Sequence, residues 1–342
     1  MPTTLTSQTT TGRQHKVLAS ELTFGIEMET TVPSHFSVGG YRNGRGRSEL
    51  PTFNGNGWTT TTDSSITSGR GRQGCEFVSP ILQGQEGLRN TMDVVRVIKA
   101  RSGTEVCTST ATFNGLGARV NSSCGIHVHV GWPTDDRRFN LKALQRLIHL
   151  VAGFEQGIYA STGTKSRERG SWSRSIKGSQ YRSSQHKTFA ERLASVSGDP
   201  RSVASRENFN PSRYFGLNLS PLLTGRRNTV EFRFFSASLN PAKIAGFVQL
   251  CLGLVQTAVS MPRCAKWDAG PASANFGQDR GQGYRELNRL FTRLKWINRK
   301  SGAWTEAGML AEKKAPRVDD VPTLRESISA LRRMATKYDR ES

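Results

Sequence analysis

Acidic residues are scarce in this 342-residue chain: 27 Asp and Glu stand against 48 Lys and Arg, a formal charge of +21. That imbalance favours polyanions or phosphate-bearing substrates as partners, with plain solubility as the alternative. Cysteine is also sparse. Cys75, Cys107, Cys124, Cys251 and Cys264 are far apart and contain no Cys-x-x-Cys pair, which excludes a zinc ribbon or a disulfide framework and fits a reducing cytoplasm. No window approaches the roughly 18 apolar residues of a membrane helix, so no membrane partner is expected. The opening "MPTTLTSQTTTGRQHK" lacks the apolar core of a secretory signal, and residues 1–20 read as a disordered tail.

What is present suits a loop-rich globular protein mixing helix and sheet. Hydrophobic residues make up 35% and glycines number 34, and the length allows one large domain or two modest ones. "LTFGIEMETTV" (22–32) alternates cleanly, with Leu22, Phe24, Ile26 and Met28 on one face and Glu27 and Glu29 on the other. "CGIHVHVGW" (124–132) does the same, setting His127 and His129 against Ile126, Val128 and Val130. "NTVEFRFFSASL" (228–239) places Glu231 and Arg233 opposite Val230, Phe232 and Phe234, and "CEFVSPIL" (75–82) adds Glu76 before Pro80 stops it. Period two is a strand signal, and each apolar face implies packing on a core layer.

Helical spacing appears in 86–101, where Leu88, Met92, Val95 and Ile98 form a stripe, and in 140–159, with Asn140 as its cap. "NPAKIAGFVQLCLGLVQTAVS" reads as a buried helix capped by Asn240 with Pro241 in its first turn. Two amphipathic helices are expected in the tail, near Tyr284–Asn298 and Pro322–Tyr338. Residues 161–210 are rich in Ser, Arg and Lys and read as a mobile loop or lid.

If the alternating strands are neighbours, one face collects four carboxylates, two imidazoles and a guanidinium. Carboxylates that close cannot all ionise without compensation, and divalent cations compensate most directly. A carboxylate-rich set with a minority of imidazole suits Mg²⁺ or Mn²⁺ better than zinc. Arg233, one pleat from Glu231, is then a clamp for phosphate. Each motif alone has a bland explanation: a solvated strand face for Glu-x-Glu or His-x-His, an internal ion pair for Glu-x-Arg. Three of them on clean period-two strands are harder to assign to chance.

The order FGIEME, TDSSI, CEFVSPIL, CGIHVHVG, YFGLNL, TVEFRFF across residues 22–260 resembles the amidoligase family, of the carboxylate–amine ligase group with glutamine synthetase and glutamate–cysteine ligase. The resemblance implies an α+β fold: a curved, mainly antiparallel half-barrel sheet with helices on its outer face. ATP and two or three Mg²⁺ (or Mn²⁺) ions would sit inside the curve. By the same resemblance Glu27, Glu29, Glu76, His127 and Glu231 would be metal ligands, and Arg233 would hold phosphate. His129 would touch substrate or phosphate, and Asn218 would contact substrate or nucleotide or support a ligand. Asp63 stands where the family reads Asp-Gly-Ser, with Ser64 in place of the glycine, and shares with Glu76 the candidacy for base. The catalytic domain would span 21–262 with the basic insertion 161–210, and 263–342 would be a helical extension.

The implied reaction is amide formation between a small-molecule or peptide carboxylate and an amine through an acyl phosphate. Lys165, Arg167, Arg169, Arg174, Lys177 and Arg182 of the insertion would guide an anionic acceptor or close over the site. Two other classes use the same features: a metal-dependent hydrolase on the carboxylate–histidine cluster, and a nucleic-acid-binding protein on a degenerate ligase fold. Intact Glu27, Glu29, His127, Glu231 and Arg233 argue against degeneration. Substrate identity and oligomeric state stay open.

Overall fold

The computed structural model describes residues 18–40, 48–49, 57–132, 141–177, 213–223, 226–261, 281–297 and 321–341. The tail up to residue 17, the cap Asn140, Arg182 and the rest of 178–210 lie outside the described residues.

One antiparallel sheet forms the frame. Its strands are β1 (Thr23–Pro33), β2 (Ser48–Glu49), β3 (Thr59–Thr61), β4 (Arg72–Val78), β5 (Leu82–Gln83), β8 (Gly125–Gly131), β9 (Leu217–Asn218) and β10 (Thr229–Ser236). They run in the order β2-β3-β4-β1-β8-β10-β9, with β5 on the start of β1, and the sheet does not close. Two short strands, β6 (Glu105–Cys107) and β7 (Thr112–Asn114), pair as a separate hairpin. The four strands read from alternation are therefore consecutive in space: β4, β1, β8, β10.

The alternation decides which face meets the core. Phe24, Ile26 and Met28 of β1, Val128 and Val130 of β8, and Val230 and Phe232 of β10 are all buried in one cluster. The same cluster takes Leu88, Met92, Val95 and Ile98 of α1 (Gly84–Lys99), Leu222 and Leu223 of the short α4 (Ser220–Leu223), and Phe247, Leu250 and Leu254 of α5 (Pro241–Ser260). Phe235 stacks on Phe247 with ring centroids 4.3 Å apart, pinning β10 to α5. Helix α5 begins as its sequence predicts: the Asn240 side chain accepts from the Lys243 N–H at 3.1 Å, and Pro241 occupies the first turn. Contrary to the expectation of no membrane-length apolar segment, α5 is long and apolar enough by composition to span one. Thirteen of its residues are buried, and it packs against α2 (Leu141–Ala160), β8 and α7 (Leu324–Arg340), as the core helix of a packed body does.

The two tail helices are present, as α6 (Gln282–Arg293) and α7. Both join the same core through Leu287, Leu290, Phe291, Ile328, Leu331 and Tyr338. Backbones come close where side chains are missing. A Cβ on Gly157 of α2 would lie 2.6 Å from the Leu287 nitrogen of α6.

The start of the basic insertion is not a mobile loop. Residues 161–177 carry a turn of helix, α3 (Ser166–Arg169), and pack into the body, with Ser161, Lys165, Arg167 and Ser173 buried. Its polar groups find partners that composition does not reveal. Glu155, fully buried on α2, accepts from Ser175 Oγ at 2.5 Å and from the Ile176 N–H at 2.8 Å. Glu341, just past the end of α7, accepts from the Lys165 N–H at 2.9 Å.

Candidate functional site

Strand register assembles the site. Across β4 and β1, Glu76 faces Glu29; across β1 and β8, Glu27 faces His127; across β8 and β10, His129 faces Glu231; across β10 and β9, Glu231 faces Asn218. Directly opposed residues project to the same side of a sheet. The charged side chains therefore form one row running obliquely over four neighbouring strands and ending on β9. Pairing of β10 with β8 shifts between Phe232 and Phe235, a bulge that spans Arg233, as bulges near functional sites re-aim side chains.

Asp63 comes from the turn after β3. Its Oδ1 accepts from the Ser65 N–H at 2.7 Å, closing an Asx turn. That turn lies close over β4 because position 74 is glycine: a Cβ there would be 2.9 Å from the Asp63 carbonyl oxygen.

The contacts within the row are short. His127 Nδ1 is 3.3 Å from Glu27 Oε2 and 3.6 Å from Glu231 Oε1, and its Nε2 is 3.4 Å from Glu29 Oε1. His129 Nε2 is 3.2 Å from Glu27 Oε1. Arg233 Nη1 reaches Glu231 Oε1 at 2.5 Å and His127 Nδ1 at 3.4 Å, and its Nε donates to the Trp172 carbonyl at 3.4 Å. Asn218 Nδ2 donates to the other Glu231 oxygen at 2.5 Å. Glu231 is thus held from both sides by neighbours the same sheet supplies.

The electrostatics follow from crowding. Burial, followed by the charges of Glu27, Glu29 and Asp63, pushes Glu76 up to about 9. Burial works in the same direction on Glu27, but its close contacts with His127 and His129 outweigh it and hold that carboxylate well below the ordinary range. Glu231 is likewise lowered, its burial overcome by the charges of His129, Arg233 and His127. Burial alone would lower His129, yet its contact with Glu27 and the charge of Glu231 raise it.

Among the described residues, three groups of side chains bring ligand atoms within 4.8 Å of one another: Glu27–Glu76–His127, Glu27–His129–Glu231 and Glu29–Asp63–Glu76. Buried His127 Nε2 and both ring nitrogens of His129 make no hydrogen bond among the described residues. Such donors, carboxylate-rich with two imidazoles and buried nitrogens not committed to hydrogen bonds, fit hard divalent cations. The donor set covers the five ligands expected from the sequence. It adds His129, expected at substrate or phosphate, and Asp63, expected as a candidate base.

The row faces a cavity of about 620 Å³. Glu27, Asp63, Glu76, His127, His129, Asn218, Glu231 and Arg233 line it, while Glu29 is buried at 4% exposure. The opposite chemistry is supplied by Arg213, Arg226 and Arg227, with Ser64 and Ser220 between. Those three arginines were not singled out in the sequence, where 48 basic residues hide them. Among the described residues of the insertion, none of Lys165, Arg167, Arg169, Arg174 and Lys177 lines this cavity. Lys165 lies over the Tyr338 ring at 5.7 Å and Arg174 over Phe215 at 5.7 Å, so packing occupies them.

Fold and site together define an α+β protein whose open antiparallel sheet carries a carboxylate–histidine–arginine centre suited to divalent cations. The model of the family described as "Putative amidoligase enzyme" matches residues 20–255, and the chain belongs to that family. Membership makes it an enzyme of the amide-bond ligase type. No curated protein matches the chain significantly.

Proposed function

We propose that the protein is an ATP-dependent carboxylate–amine ligase of the glutamine synthetase and glutamate–cysteine ligase kind, working through an acyl phosphate. The observation that carries this reading is the cavity's two-sided lining: cation-binding groups on the sheet face, and Arg213, Arg226, Arg227 and Arg233 around them. A hydrolase needs the first set; the clustered guanidiniums add a binding surface for a polyphosphate.

Glu27, Glu29, Glu76, His127 and Glu231, with Asp63 and His129, would hold Mg²⁺ or Mn²⁺, which when bound neutralises charge on phosphate oxygens. The chain's own work is positioning. Glu231 and the Trp172 carbonyl orient Arg233, which spreads charge from the transferring phosphoryl group. Asn218 keeps Glu231 from turning away from the cavity. A carboxylate oxygen of the first substrate forms a bond to the γ-phosphorus while the bond to ADP breaks. The amine nitrogen then bonds to the acyl carbon, phosphate leaves, and the nitrogen loses its proton. The arginine lining favours an anionic substrate or product, since phosphate must be held until displacement.

The test is ADP release with ATP and Mg²⁺ against pooled carboxylates and amines, with hydroxylamine added to trap an acyl phosphate as a hydroxamate. One pool should stimulate release, hydroxamate should accumulate, and Glu231→Gln should abolish both. Turnover of an amide or phosphoester unaffected by ATP would instead establish hydrolysis.

A further inference from the structure

Arg167 belongs to the insertion but reaches the far side of the site. It is buried at 7% exposure on the single turn α3. Its Nε donates to the Phe235 carbonyl at 3.1 Å, and its Nη2 lies 3.7 Å from Glu29 Oε2. A Cβ added to Gly125 would fall 1.0 Å from that Nη2. The guanidinium therefore fills the place of the missing side chain at position 125, on the same face of β8 as His127 and His129. Glu29 Oε2 also accepts the Gly125 N–H at 2.6 Å, so one oxygen is engaged from two directions and Oε1 is left facing His127.

The turn that carries Arg167 is gripped by the end of α7. The Tyr338 hydroxyl donates to Glu168, Lys165 packs on the Tyr338 ring, and Glu341 accepts from Thr164 Oγ1 at 3.2 Å as well as from the Lys165 N–H. On the inner side, Ser173 Oγ donates to the Arg167 carbonyl at 2.8 Å. Residues 324–341 lie beyond the family match, which ends at 255.

We propose that Arg167 is a positioning residue that fixes Glu29 as a ligand of the Glu29–Asp63–Glu76 cation site, and that α7 braces it there. The inference rests on the cation-centre reading above. It gives the C-terminal helix a defined purpose: holding a guanidinium that the sheet itself does not supply. Partners that orient metal ligands typically change metal affinity about 10- to 100-fold when removed, and a buried carboxylate that loses a cation neighbour is freer to turn.

The experiment is Mn²⁺ binding to the full chain without nucleotide, followed by electron paramagnetic resonance and calorimetry, with near-ultraviolet circular dichroism as the check on folding. Arg167→Met should weaken one class of Mn²⁺ site about 10-fold or more and leave the others unchanged. Arg167→Lys should recover part of the loss. Tyr338→Phe, which removes one hydroxyl far from the ligands, should shift the same class in the same direction by less. It stands as the test should Arg167→Met not fold. Binding by folded Arg167→Met, or otherwise by Tyr338→Phe, that superimposes on the unaltered protein would overturn the positioning role alone. Absence of Mn²⁺ binding by the unaltered protein would overturn it together with the cation centre.

Discussion

Glu155 is fully buried on α2 and lines no part of the cavity, yet it sets a pH dependence for the whole fold. Burial pushes its carboxyl up to about 7, only partly offset by hydrogen bonds from Ser175 and the Ile176 N–H and by the charge of Lys177, with Glu168 acting the other way. The folded state therefore binds this proton more tightly than the unfolded chain. Stability from this group is fully present below the ordinary carboxylate value and falls as pH rises toward 7, levelling off above it. The fall amounts to about 3 kcal/mol at most. Glu155→Gln keeps an acceptor for the Ile176 N–H and a donor for Ser175 Oγ. Denaturant melts from about pH 4 to pH 9 should show the variant matching the parent at the acid end and exceeding it above pH 7. Glu76 makes a second case at this scale. It stands among Glu27, Glu29 and Asp63, so Glu76→Gln should raise the melting temperature of the metal-free protein by a few degrees, about 1 kcal/mol, while reducing, though not abolishing, the gain that Mn²⁺ confers, since the Glu27–His129–Glu231 group is left intact. Calorimetry with and without the ion reads both.

At the scale of elements, α2 and α6 meet backbone to backbone at Gly157. The atoms a Cβ would strike there are main-chain atoms, the Leu287 nitrogen and the Glu286 carbonyl carbon, which have no rotamer to yield. Gly157→Ala should cost about 1–3 kcal/mol, read as a lower denaturation midpoint. Helix α7 starts with a capping box: Thr323 Oγ1 accepts the Glu326 N–H at 3.2 Å, and Glu326 Oε2 accepts the Thr323 N–H at 2.7 Å. Thr323→Ala should cost about 1 kcal/mol and, by loosening the brace on Arg167, lower Mn²⁺ affinity with it. Elements of this kind divide by what the sequence exposes. The alternation in 22–32, 124–132 and 228–239 marks strand and face at once, because a half-buried strand writes its two environments into successive residues. The candidate site residues were legible for the same reason: charge at positions 27, 29, 127, 129 and 231 interrupts what a solvated face would carry. Arg213, Arg226 and Arg227 were not legible, since a cationic residue in a basic chain carries no mark of where it points. The folding of 161–177 was hidden too. It depends on Glu155, Tyr338 and Glu341, whose partnership with that stretch is created only by tertiary packing.

For the molecule as a whole, the strongest expectation concerns ions. A sheet face that crowds Glu27, Glu29, Glu76, Glu231 and Asp63 is under electrostatic tension that bound cations relieve. Saturating Mn²⁺ at 100 times its dissociation constant should therefore add about 2.7 kcal/mol per independent site, seen as a rise in melting temperature that EDTA reverses. The register of β4, β1, β8 and β10 carries a further consequence. A slip of one residue between β1 and β8 would turn His127 and His129 into the core and expose Ile126, Val128 and Val130. A chain that has buried its aliphatic residues correctly has thereby lined up its row of carboxylates and imidazoles, with no separate step of site assembly. Proofreading of the catalytic face is thus built into folding itself, and quality-control proteolysis that removes misregistered chains removes inactive ones in the same act.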